Sequence, residues 1–190
     1  MISPPLLKAP VSERDVPRLP PMLGIVGRKH AGKTTLVVRL SAELAKRGYR
    51  VMTLKHGSHT FNLDPATTDT YRHYHEGGAE RVAMASPDKF ALVARWAVER
   101  TPEQMIAEHL ADADIVLCEG FKAHPMPKVE IHRAAAHATA LWPAEATHPD
   151  AWKAMLTDAA PPGFGGRVFD VNDAAWLDAM ATWVQTEVMQ

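Results

Sequence analysis

The chain has 190 residues, of which 46% are hydrophobic and 23% charged, with a formal net charge of −1 and one cysteine. This length suits one domain whose core needs no staples, and the balanced charge supplies no global field for DNA, RNA or an anionic membrane. The lone Cys118 excludes an intrachain disulfide, and no segment approaches the roughly 18 consecutive apolar residues of a membrane span. With no secretory-type leader and one thiol, the expected location is the reducing cytoplasm.

In chain order, Pro4, Pro5, Pro10, Pro17, Pro20 and Pro21 punctuate the first segment. Fixed φ and missing amide donors disfavour helix and central strand there. Residues 1–21 are therefore expected to be a flexible tail, with a docking segment as the alternative, and the G-x-x-x-x-G-K-[ST] run at Gly27–Thr34 marks residues 22–190 as a P-loop nucleotide-binding domain. Met22–Val26 is a short apolar run of buried-strand type. A helix follows over about 32–47, with Leu36, Val37, Leu40 and Leu44 on one face and Gly48 as its stop. Arg50–Lys55 is the next strand, which makes a βαβ unit and a parallel sheet. The fold class is α/β of P-loop NTPase type, a mostly parallel sheet flanked by helices.

A polar loop over 56–68 leads to a short helix over 70–76, then strands over 81–85 and 90–94 and a helix over 102–110. Ile115–Cys118 is a buried strand. Lys128–His132 alternates polar and apolar, which predicts a strand with Lys128, Glu130 and His132 on an exposed face, suited to a dimer or partner interface. Strand 167–171 and a last helix with a stripe of Ala174, Leu177, Ala181, Val184 and Val188 complete the set.

Gly27-Arg28-Lys29-His30-Ala31-Gly32-Lys33-Thr34 fits G-x-x-x-x-G-K-[ST], between an apolar strand and an amphipathic helix. The two glycines allow a tight turn and close approach to phosphate. Successive amides form an anion nest at the positive end of the helix dipole. Lys33 would reach the β- and γ-phosphates, Thr34 would bind Mg²⁺ through its hydroxyl, and Thr35 would face the α-phosphate. Arg28, Lys29 and Arg72 are further cations for the γ-phosphate or a second anion.

Glu119 emerges at the carboxyl end of the buried strand, where ligands of open α/β sheets bind. It is the expected carboxylate beside Mg²⁺, and the Gly120 amide is the expected γ-phosphate sensor. Asp64 is a candidate to orient water or complete the metal shell; its alternative, and the expected role of Asp69, is a turn residue. His56 with His59, and His73 with His75, lack the cysteine partners common in zinc sites and are read as phosphate, substrate or solvent contacts. Asn172-Asp173 offers either a guanine-reading carboxylate or a helix cap, and the cap is expected.

The ordered set Gly27–Thr35, Thr53-Leu-Lys-His56, Asp64-Pro65 with Asp69-Thr-Tyr-Arg72, Glu119-Gly-Phe-Lys122 and Pro127-Lys-Val-Glu-Ile-His-Arg133 resembles the MobB family. These are GTP-binding adapters of molybdopterin guanine dinucleotide synthesis. The resemblance runs from Met22 onward, and its last two motifs are its most specific. Where relatives carry a glycine and a lysine in the loop before the second aspartate, this chain has Ala66-Thr67-Thr68. The resemblance implies GTP and Mg²⁺ binding, weak GTPase activity, a homodimer, and partnership with the molybdopterin guanylyltransferase and molybdenum-inserting proteins. The residues alone leave open a P-loop small-molecule kinase, which would need an arginine lid, and a GTPase metallochaperone.

Overall fold

The computed structural model describes residues 18–57 and 64–190. The calls on Met1–Pro17 and on His59 lie outside the described residues. Six strands form one sheet in the order β2-β5-β1-β6-β7-β8. They are β1 (Met22–Val26), β2 (Val51–Lys55), β5 (Ile115–Glu119), β6 (Lys128–His132), β7 (Trp152–Thr157) and β8 (Arg167–Asp170). Every pairing in this sheet is parallel, so all carboxyl ends share one edge. A separate antiparallel hairpin joins β3 (Arg81–Ala85) to β4 (Phe90–Ala94).

Helix α1 (Lys33–Lys46) buries Leu36, Val37, Leu40 and Leu44, the face its periodicity assigns. It shares a core with Leu23, Ile25, Ile131, Leu156 and the last helix, α4 (Trp176–Glu187). On the other side of the sheet, Val116, Cys118 and Met126 pack with Ile106 of α3 (Pro102–His109). Burial pushes the Cys118 thiol up to about 12, so it behaves as a small apolar side chain. Leu19 packs against this cluster, and the Pro21 carbonyl accepts from the Val116 amide at 2.9 Å. The chain therefore engages the sheet before Met22. Helix α2 (Asp69–His75) is capped by Thr68, whose hydroxyl accepts from the Tyr71 amide.

Three expectations are corrected. Strand β6 has no exposed face: Lys128, Glu130 and His132 are 0%, 1% and 5% exposed. It lies between β1 and β7, and its polar groups find partners in the loop before it, in residues 133–146 and at the end of β7. Lys128 Nζ donates to the Met126 carbonyl at 3.2 Å and also to that of His124. The Glu130 carboxylate accepts from the amides of Leu141 (2.5 Å) and Trp142 (3.1 Å). His132 bonds Thr157 Oγ1 through Nδ1 (3.1 Å) and the His137 carbonyl through Nε2 (3.0 Å). A buried polar strand is stable once its groups are paired, but it offers no surface to a partner.

The sequence reading also overlooked β7. Trp152-Lys-Ala-Met-Leu-Thr157 holds few β-branched residues, and pairing with β6 and β8 makes it a strand. Finally, α4 starts at Trp176 with Ala175 at its N-cap and no side-chain cap. Asp173 instead accepts from the Ala175 amide (2.9 Å) in the preceding turn, and the buried stripe is Trp176, Met180, Ala181 and Val184.

Candidate functional site at the carboxyl edge of the central strands

Strand β1 ends at Val26, and the chain curls through residues 27–32 into α1. Gly27 has φ +153°, and a Cβ there would lie 2.5 Å from the Ile131 carbonyl oxygen. The loop is thus pressed onto β6 at a point where a side chain has no room. Gly32, at φ 109°, forms the N-cap of α1, which has no side-chain cap and no acidic residue in its first turn. The first amides of the helix face outward without a carboxylate of their own helix, which favours an anion. His30 holds a left-handed conformation at φ 64°.

Lys33 Nζ donates to the carbonyls of Gly27 (3.0 Å) and Arg28 (2.8 Å), so the ammonium lies within the curl of the loop. Burial lowers its pKa, and the charge of Glu119 opposes that shift. The Thr34 hydroxyl lies 3.1 Å from each Glu119 carboxylate oxygen, and Lys55 Nζ lies 3.1 Å from Oε1. The P-loop and the ends of β2 and β5 therefore converge at one point. Parallel registry does this, since Glu119 stands opposite Ile25 of β1 and Lys55 of β2.

The donors at that point are a hydroxyl and a carboxylate, which suit a hard cation that takes its remaining ligands from phosphate and water. Among the described residues, no group of three or more His, Cys, Asp or Glu could hold a metal by itself.

Other expected residues stand apart from this point. The Gly120 amide donates to the Ile25 carbonyl at 3.0 Å, extending the ladder, so in this conformation it is not free to sense a phosphate. Arg28 turns away from the loop. Its Nε donates to the Thr139 carbonyl (3.0 Å), and its guanidinium pairs with Glu145 (3.0 Å), which Lys122 also meets at 2.7 Å. His137 Nε2 meets the Lys29 carbonyl at 2.7 Å. Arg72 pairs with Glu76, and His75 stacks on Tyr71. Among the described residues, no hydrogen bond or ion pair joins Asp64 to Thr34 or Glu119. Sequence reasoning missed Lys55 as a partner of Glu119; the Thr-Leu-Lys-His run at the end of β2 was the available signal.

The family model described as molybdopterin guanine dinucleotide synthesis protein B matches residues 22–158. The chain belongs to the MobB family. It is 36% identical to the molybdopterin-guanine dinucleotide biosynthesis adapter protein of Haemophilus influenzae over 119 residues, 60% of this chain and 64% of that protein. The adapter protein of Escherichia coli is 28% identical over 172 residues, 88% of this chain and 95% of that one. The crystal structure of Bacillus subtilis MobB superposes with a TM-score of 0.64 at 24% identity, covering 88% of this chain and 99% of that one. The MobB homologue from Bacillus stearothermophilus gives 0.61 at 23% identity, over 87% of this chain and 99% of that one. The fold is thus the P-loop nucleotide-binding α/β fold of MobB structures. Among the described residues, no helix is long and apolar enough to cross a membrane.

Proposed function

We propose that this chain is a GTP-binding adapter in molybdopterin guanine dinucleotide biosynthesis, with one P-loop domain over residues 22–190. The observation that carries the nucleotide site is the convergence of Thr34, Glu119 and Lys55 beside the Lys33 loop. Backbone amides of residues 28–34 and Lys33 would hold the phosphates, with Thr35 near the α-phosphate. Thr34 and Glu119 would hold Mg²⁺, which neutralises charge on the terminal phosphates. Asp64 is the remaining candidate for orienting water.

Glu119 is engaged by a hydroxyl and an ammonium, which does not make it a strong general base. Slow hydrolysis, below about 10⁻² per second, is therefore expected from the isolated chain. The partners proposed are the molybdopterin guanylyltransferase, the molybdenum-inserting proteins and a second copy of this chain, all in the cytoplasm. The β3–β4 hairpin supports a protein partner: Phe90 and Leu92, 70% and 38% exposed, share one of its faces, an exposed apolar pair of the kind that marks an interaction surface. This surface replaces β6 as the candidate interface.

The test is reconstitution of the guanylyltransferase with molybdopterin and limiting GTP, following dinucleotide formed and phosphate released. The adapter should bind the enzyme and raise its output, and Phe90→Asp should weaken that binding. If the chain neither binds the enzyme nor raises output, or if it turns over GTP many times per second alone, the adapter reading fails.

A further inference from the structure

The terminal-phosphate end of the site lies on one side of the P-loop. Thr34 meets Glu119 of β5, and Lys55 of β2 completes the group. Strand order places β5 and β2 on one flank of β1 and β6, β7 and β8 on the other. A nucleotide whose terminal phosphates point to β5 must run its ribose and base over the carboxyl ends of β6 to β8, the crevice that open parallel sheets offer.

Three carboxylates stand at that end, and they differ in what they hold. Asp170 accepts from the Asn172 amide and Asp173 from the Ala175 amide, each at 2.9 Å and each within its own turn at the far edge. Asp158 follows β7 directly. Its Oδ1 reaches across to the Ala134 amide at 2.8 Å, just beyond the end of β6. The Asp158 carboxylate thus spans the exits of the two strands on the nucleoside side, while the P-loop leans on the first of them through Gly27 and Ile131. Strands β1 and β7 are two spacings apart, about 10 Å, which leaves room for a ribose between them. His137, bonded to the Lys29 carbonyl, ties the 133–137 turn to the P-loop.

The Ala134 amide holds the Asp158 carboxyl below the usual carboxylate range, with Arg133 adding to the effect. It therefore stands there as an anion that only accepts hydrogen bonds.

We propose that Asp158 is the base-selecting residue of this nucleotide site, accepting from the N1–H and 2-amino groups of guanine. The inference rests on the nucleotide-site reading above and extends it to the base. Guanine presents those two donors side by side. Adenine presents an unprotonated ring nitrogen at N1, which a carboxylate repels. Asp158 is exposed in the free chain, so choice of base then comes from an acceptor that the bound ring covers and that the wrong ring leaves unmatched. This assigns base reading to the end of β7 in place of Asn172-Asp173.

Two measurements test it on the full chain. In the wild type, guanosine triphosphate should bind about tenfold or more better than inosine triphosphate, which lacks only the 2-amino group. Asp158→Asn should lose a similar factor for guanosine triphosphate and gain affinity for xanthosine triphosphate, whose 2-oxo group matches the new amide donor. A carboxylate that merely ties Ala134 would not exchange one base preference for another. Equal wild-type affinity for the guanosine and inosine nucleotides, or an Asp158→Asn chain that folds with its preference unchanged, would overturn the proposal while leaving the phosphate site standing. Absence of triphosphate binding by the wild type would instead overturn the nucleotide site itself, and this inference with it.

Discussion

Glu119 and Glu130 occupy the two strands that flank β1, and both are nearly inaccessible, at 9% and 1% exposure. Their partners differ in kind. Glu119 is met by a side-chain hydroxyl and a side-chain ammonium, Thr34 and Lys55. These can rearrange around a cation or a phosphate. Glu130 is met by two backbone amides, Leu141 and Trp142, held by the segment that covers β6. Those donors cannot leave without undoing the cover. A carboxylate satisfied by mobile side chains is available to a ligand, whereas one satisfied by fixed amides is part of the scaffold.

Breaking the scaffold carboxylate gives the largest expected effect. Glu130→Lys buries a cation opposite two amide donors and should cost about 3–5 kcal/mol of stability, as does breaking a buried polar pairing. Chemical denaturation reads this directly; a variant as stable as the wild type would mean that the 133–146 cover is not holding β6.

Lys33→Ala comes next. One charge-assisted contact to a partly desolvated phosphate contributes about 1.5–3 kcal/mol, so triphosphate affinity should fall at least tenfold while the thermal midpoint changes little. Calorimetric titration showing undiminished affinity in the folded variant would remove the phosphate assignment.

Glu119→Gln and Thr34→Ala should act more selectively. Both should weaken triphosphate binding in Mg²⁺ more than diphosphate binding and flatten the dependence on Mg²⁺. Equal losses for the two nucleotides would move Glu119 into the same scaffold class as Glu130.

The smallest effect concerns pH. Burial raises the pKa of Glu130, with the Leu141 and Trp142 amides opposing. For an acid whose folded value lies above its unfolded one, protonation favours the folded state. Its stabilising contribution is therefore full below the unfolded value and is lost as pH rises through the folded one. Glu130→Gln should remove that slope from the denaturant midpoint. An identical pH profile in both proteins would show that the two amides cancel the burial.

The phosphate loop and Glu119 were legible from sequence because the chemistry there is carried by contiguous residues. A glycine-framed turn between a strand and a helix has few conformations, and an acid after four apolar residues must leave the sheet at its carboxyl end. Strand β6 was not legible in the same way. Alternation in Lys128–His132 shows that the two faces differ, not that one is wet, and the amides, carbonyls and hydroxyl that satisfy its polar side chains lie up to 25 residues away, at the Thr157 Oγ1. Strand β7 lacked β-branched residues and took its conformation from its neighbours.

By itself, then, the sequence determined the nucleotide-loop geometry, the order of most helices and strands, and the apolar face of α1, since each depends on short-range spacing and backbone sterics. Only the tertiary structure decided that Arg28 faces Glu145 rather than a phosphate, that the Gly120 amide belongs to the β1–β5 ladder, that Lys55 meets Glu119, and that Asp158 bridges the ends of β6 and β7. Each of these is a choice among partners distant in the chain, made by strand order and by the cost of leaving a buried polar group unpaired.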